Sequence, residues 1–180
     1  MVKLILGLVA DISAGKDTVA RYLAEKHNFE KHTLSDVIRA EARAKKLKPT
    51  RDNLYKLVRE IRKKGGKHAL VNRIIKKFKK DKIVIAGIRE PEEIDYLKEQ
   101  FPGKVKILHL TASPKIRFQR IKTRKRTGDP TTFKEFLEQE KKEWKEFNFK
   151  ALFKMADYKI INDGTLEELY KDIDKVIKKI

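Results

Sequence analysis

The sequence predicts a three-layer α/β/α protein built on a parallel sheet of about five strands. Three observations carry that prediction. Short apolar runs recur at Leu4 to Val9, Lys82 to Ala86, Val105 to Leu110 and Tyr158 to Ile161, and uninterrupted runs of this kind suit strands buried on both faces. The segments between them carry apolar residues at three- and four-residue spacing, the mark of amphipathic helices that wrap such a sheet. The chain of 180 residues suffices for one core of this size, so residues 1–180 are expected to form a single domain.

Taken in order, the strand Leu4 to Val9 leads through a short loop into a helix over Thr18 to Lys26, and a weaker strand follows near Phe29 to Leu34. Helical patterns cover Asp36 to Lys46, Arg51 to Lys63 and Ala69 to Phe78 before the third strand. Glu90-Pro91 and Ser113-Pro114 place proline in the first turns of helices over Pro91 to Gln100 and Pro114 to Lys122. A helix over Thr132 to Phe147 precedes the last strand, and Leu166 to Ile180 follows a capping box of Thr165 and Glu168. Gly65-Gly66 and Gly128-Asp129-Pro130 break structure. Two segments, about 35–79 and 117–149, read as too helical and too charged for the core. They are expected to be an inserted helical unit and a lid that cover a substrate.

Composition narrows the classes. With 39% charged and 40% hydrophobic residues, the chain is that of a folded protein rather than a disordered or membrane one. The apolar start stops at Asp11, too short for a membrane span and without a cleavage site, so a cytoplasmic location and no membrane partner are expected. The absence of cysteine excludes disulfides and thiolate chemistry, and His27, His32, His68 and His109 lack metal-ligand spacing. The net charge of +19 has two readings. One is a footprint for phosphate-rich small molecules or nucleic acid; the other is the charge-rich, amide-poor surface of heat-adapted proteins.

The stretch Ala10-Asp11-Ile12-Ser13-Ala14-Gly15-Lys16-Asp17-Thr18 lies between the first strand and the first helix. A glycine-lysine pair in that context reads as a phosphate-binding loop. Its backbone N–H groups and the amino end of the helix face the phosphates, Gly15 allows close backbone approach, and Lys16 reaches the last two phosphates. Ala10 stands where such loops begin with glycine, and Asp17 where they carry serine or threonine. Asp11 must either face away from a triphosphate or meet it through a cation. For magnesium, the oxygen ligand is either Asp17, directly or through water, or Thr18.

This loop and four later stretches resemble the nucleoside monophosphate kinases of the P-loop class over nearly the whole chain. The chain is similar to archaeal adenylate-kinase-related proteins and to dephospho-coenzyme A kinases. In "LSDVIRAEA" (34–42), Asp36 opens a helix and Arg39 matches the arginine that holds the acceptor's phosphate. In "IVIAGIRE" (83–90), Gly87 and Arg89 match, with Arg89 implied as a second clamp, while Ala86 replaces the family's carboxylate. "TASPKIRFQRIKTRKRTGDPTTFKEF" (111–136) resembles the arginine-rich lid, with Arg120 and Arg124 implied at the transferring phosphoryl group and Arg117 and Arg126 nearby. The same basic run also reads as a nucleic-acid stripe. "MADYKIINDGTLEELYKDI" (155–173) resembles the last strand, turn and helix, where Asn162 to Thr165, including Gly164, either contact adenine through backbone or form a plain capped turn.

The resemblance implies transfer of the terminal phosphoryl of ATP, with magnesium, to a small nucleotide-like acceptor: a nucleoside or deoxynucleoside monophosphate, or dephospho-coenzyme A. With no evident base in the sequence, an already anionic phosphate suits as acceptor better than a hydroxyl, which would call on Asp36. The alternative is an ATPase switch that binds RNA or a ribonucleoprotein.

Overall fold

β1 (Leu4–Ala10) runs through the middle of a five-stranded parallel sheet of order β2-β3-β1-β4-β5, with β2 (Glu30–Thr33), β3 (Lys82–Ala86), β4 (Val105–Thr111) and β5 (Tyr158–Ile161). The computed structural model describes residues 1–124 and 128–180, with the backbone alone for Arg51. Arg126 of the expected lid lies outside the described residues. No helix among the described residues is long and apolar enough to cross a membrane.

The sheet buries both faces, as its unbroken apolar strands require. One face presents Ile5, Val9, Ile83, Ile85, Val105 and Ile107. Against it pack α2 (Leu34–Ala44), α3 (Arg51–Gly65), α4 (Ala69–Ile75), α5 (Pro91–Gln100) and α8 (Phe149–Lys154). The other face presents Leu6, Leu8, Val84, Leu108 and Leu110 to α1 (Lys16–Lys26) and α9 (Leu166–Ile177). α6 (Pro114–Arg124) and α7 (Phe133–Glu146) pair with each other through Phe118, Phe133 and Phe136.

Local chemistry sets the ends of these elements. Thr33, the last residue of β2, accepts the Asp36 N–H and caps α2, which therefore begins two residues before the expected start. Pro91 takes the first turn of α5 behind a reciprocal Glu90–Glu93 box, and Thr165 with Glu168 caps α9 in the same way.

One expectation is corrected here. The segments 35–79 and 117–149 are not excluded from the core: Leu57, Ile61, Leu70, Val71 and Ile74 are buried in the same cluster as the sheet, and Phe136 and Phe147 are buried as well. Their charges lie on the outer faces of helices whose apolar stripes turn inward, so charge density alone misjudged them.

Candidate functional site

All five strands end at one edge of the sheet, at Ala10, Thr33, Ala86, Thr111 and Ile161. From β1 the chain turns toward β2 on one side, and from β4 toward β5 on the other. That reversal opens a crevice between β1 and β4, where ligands of such sheets bind.

The loop after β1 lies in this crevice. Asp11 donates its N–H to Leu110 at 3.3 Å, and Ala14 donates to the Asp11 carbonyl at 3.1 Å. Ser13 and Gly15 take φ values of 61° and 105°, and Gly15 is the N-cap of α1. A loop of this kind turns successive N–H groups into one concavity at the positive end of a helix, a natural anion cradle. Lys16 occupies the first helical position, with its ammonium 3.2 Å from the Asp17 carboxylate. The Ser13 hydroxyl and Arg120 Nη1 are buried here and have no hydrogen-bond partner among the described residues. Unpaired buried donors are costly, so both fit a phosphate group that would satisfy them. For magnesium, Asp17 is largely exposed and the Thr18 hydroxyl makes no hydrogen bond with a described residue; oxygens of this type suit that hard cation.

Asp11 turns its carboxylate toward β4. Its Oδ2 accepts a 2.5 Å hydrogen bond from the Thr111 hydroxyl and lies 3.9 Å from His109 Nε2. Burial pulls the His109 pKa down, aided by Lys159 and opposed by Asp11, so this histidine is neutral at pH 7.

Asn162 is turned inward. It donates from Nδ2 to the Ala14 carbonyl at 2.8 Å and from its backbone N–H to Thr111 at 2.7 Å, and its own carbonyl accepts Arg120 Nη2 at 2.9 Å. These bonds make it a strut between β5 and the loop. A groove of about 410 Å³ runs beside Ile161 to Thr165, including Gly164, and the start of α9.

The arginines fall into three situations. Arg120 stands at the loop through Asn162; burial draws its pKa down against the Asp163 carboxylate, and it remains cationic. Arg124 is held by Asp129 in two bonds of 2.7 and 2.6 Å. Arg117 departs from the expected lid role: it is buried, bonded to the Ala112 carbonyl and Glu140, and lies over the Phe136 ring. Its partners fix α6 on α7, because a buried guanidinium requires such partners.

On the acceptor side, Asp36 and Arg39 are exposed on α2, and Arg39 pairs with no described carboxylate. Gly87 has φ 89° and open space where a β-carbon would point, so the backbone beyond β3 can be approached closely. Arg89 lies over the Phe147 ring, 3.5 Å from Glu143. Its backbone N–H donates to Glu93, a fully buried carboxylate that also accepts Arg62; burial pushes the Glu93 pKa up against these donors. Ala86 is fully buried and supplies no carboxylate. Between α3 and α7 lies a cleft of about 590 Å³ lined by Tyr55, Gln139, Lys142 and several carboxylates.

Sequence reasoning missed the Asn162 strut, the Thr111 and His109 partners of Asp11, and the Arg62–Glu93 pair. Each is a contact between distant segments, with no local pattern to reveal it.

A parallel sheet of order 2-3-1-4-5, with a glycine-lysine loop after its central strand, defines a P-loop kinase fold. Solved structures agree. Shikimate kinase from Acinetobacter baumannii in complex with shikimate superimposes with a TM-score of 0.61 at 19% identity, covering 98% of this chain and 93% of that one. A gluconokinase from Sinorhizobium meliloti gives 0.58 at 12% identity, over 98% and 95%. At these identities the likeness is one of fold. Residues 13–136 match the family model described as AAA domain. The chain is 36% identical over 169 residues to a UPF0200 protein of Pyrobaculum aerophilum, covering 93% of this chain and 92% of that one. It is 32% identical over 173 residues to a UPF0200 protein of Pyrococcus abyssi, covering 93% and 91%. The chain belongs to the AAA domain family and to the UPF0200 proteins.

Proposed function

We propose that this protein is an ATP-dependent phosphotransferase that moves the terminal phosphoryl of ATP to a small, nucleotide-like acceptor: a nucleoside or deoxynucleoside monophosphate, or dephospho-coenzyme A. The carrying observation is the cradle at the end of β1, where Gly15 and Lys16 open α1 behind Ser13 and Arg120 is tied to the loop through Asn162. Kinase activity in the fold neighbours supports the same reading.

In this mechanism residues 10–18 hold the triphosphate through backbone N–H groups, with Gly164 beside the nucleotide and Asn162 bracing the loop. Lys16 and Arg120 stabilise charge on the transferring group, and Arg124 joins them by exchanging Asp129 for the phosphoryl oxygens. Phosphoryl transfer asks mainly for positioning and charge stabilisation, which these cations supply. Magnesium, held by Asp17 or Thr18, would neutralise charge across the terminal phosphates. Asp36, Arg39, Gly87 and Arg89 bind the acceptor, with arginine forks suited to its anionic groups. The whole chain acts as one cytoplasmic kinase domain, with 35–79 on the acceptor side and 117–149 as the lid.

Magnesium-dependent ADP release against a panel of nucleoside monophosphates, dephospho-coenzyme A and short RNA tests this reading. A rise with one small acceptor, abolished by Lys16→Ala, is expected. The net charge of +19 favours a second reading, an ATPase switch on RNA. RNA binding that weakens by orders of magnitude with salt, with no response to any small acceptor, would support it.

A further inference from the structure

Asp11 combines three features. It follows the Ala10–Leu110 pair of β1 and β4, so its carboxylate and Thr111 stand together at the mouth of the crevice. The side chain is only 8% exposed. One oxygen, Oδ2, is fixed by the Thr111 hydroxyl, while Oδ1 makes no hydrogen bond with a described residue. Behind it sits His109, stacked on Phe153 at 4.0 Å, with an Nε2 that has no hydrogen-bond partner among the described residues. The carboxylate is thus held at a fixed angle with one oxygen free, at the start of the loop proposed to hold the triphosphate.

We propose that Asp11 is the general base for a hydroxyl acceptor, so that the product is a phosphate monoester. This rests on the phosphotransferase reading. The acceptor O–H proton passes to Asp11 Oδ1 as the acceptor oxygen bonds to the terminal phosphorus. The bond from that phosphorus to the bridging oxygen breaks with its electron pair, ADP leaves, and the proton passes from Asp11 to solvent. Thr111 is a positioning residue that holds the carboxylate through its other oxygen.

Charge separates the two acceptor types. A fixed carboxylate beside the attacking oxygen would repel a phosphate acceptor but accept the proton of an alcohol. The cleft between α3 and α7 is similarly anionic, lined by Asp52, Asp129, Glu135, Glu138, Glu143 and Glu146. Asp11 also supplies at the end of β1 the carboxylate that Ala86 does not supply at the end of β3.

The test compares wild type, Asp11→Asn and Thr111→Val with magnesium-ATP and two acceptor sets. Nucleoside monophosphates offer a phosphate; dephospho-coenzyme A, ribonucleosides and small polyols offer only hydroxyls for this purpose. ³¹P NMR separates monoester from anhydride products, and calorimetry follows ATP binding. A monoester product is expected, with kcat lowered about 10²–10⁴-fold in Asp11→Asn and ATP affinity retained. Thr111→Val should lower kcat more than it raises the acceptor KM, with Thr111→Ser restoring it. An anhydride product overturns the inference and leaves the phosphotransferase reading standing, as does Asp11→Asn turning over as fast as wild type. Should Asp11→Asn fail to fold, an unchanged kcat in Thr111→Val overturns it. Phosphate released only to water, with no acceptor used, overturns both.

Discussion

Asn162 Nδ2 donates to the Ala14 carbonyl at 2.8 Å, and a β-carbon on Gly15 would come within 2.6 Å of that same nitrogen. Side chain and glycine are fitted to each other across the loop. Gly15→Ala faces both this clash and a φ of 105° that alanine rarely adopts, and is expected to abolish nucleotide binding in a titration. Asn162→Ala leaves buried groups unpaired, at a cost of about 1–3 kcal/mol. A thermal melt should show a fall of about 2–4 °C per kcal/mol.

Two arginines three positions apart on α6 should separate stability from catalysis. Arg117 is buried between α6 and α7, so Arg117→Met strands Glu140 and is expected to cost about 3–5 kcal/mol in denaturant unfolding. Arg120 stands at the loop, and Arg120→Met is expected to lower kcat about 10²–10³-fold. Unfolding curves and turnover measured on both variants check the division.

The buried stripe of α3 makes a similarly direct prediction. Leu57 is 1% exposed in the main core, so Leu57→Ala should destabilise the whole chain by about 2–5 kcal/mol. Denaturant unfolding would show this as a shift of the single transition rather than early loss of a separate inserted unit.

His109 gives a pH dependence with a definite sign. Its folded pKa is depressed by burial, so the unfolded chain binds the proton more readily. The contribution is full above the ordinary histidine value of about 6.5. It is lost as pH falls through the lower folded value. In His109→Phe, which keeps a ring against Phe153, the fall in melting temperature across this window should be shallower than in wild type.

The sheet was legible because its cause is local. β3 and β5 have the bounds that their apolar runs predict, and Pro91 sets the start of α5. α8 was not foreseen, because the helix expected over Thr132 to Phe147 stops before it and its 6 residues are too few to show a helical period. The glycine-lysine loop was readable as a motif, whereas what braces it was not. Asn162 meets Ala14 across 148 residues of sequence, Thr111 meets Asp11 across 100, and Arg89 meets Glu143 across 54. Spacing carries no record of such pairs; the sheet order creates them. The clearest misreading, Arg117 as a lid arginine, arose because an arginine on a basic helix looks the same in sequence whether it faces a phosphate or the Phe136 ring.

The fate of the terminal phosphate tests the central claim most directly. ATP labelled at that phosphate is incubated with the protein, magnesium and the acceptor panel, and the products are separated. Label in a small acceptor, absent with Lys16→Ala, is the expected result. Label recovered only as inorganic phosphate, whatever the acceptor, would contradict a phosphotransferase and leave an ATPase.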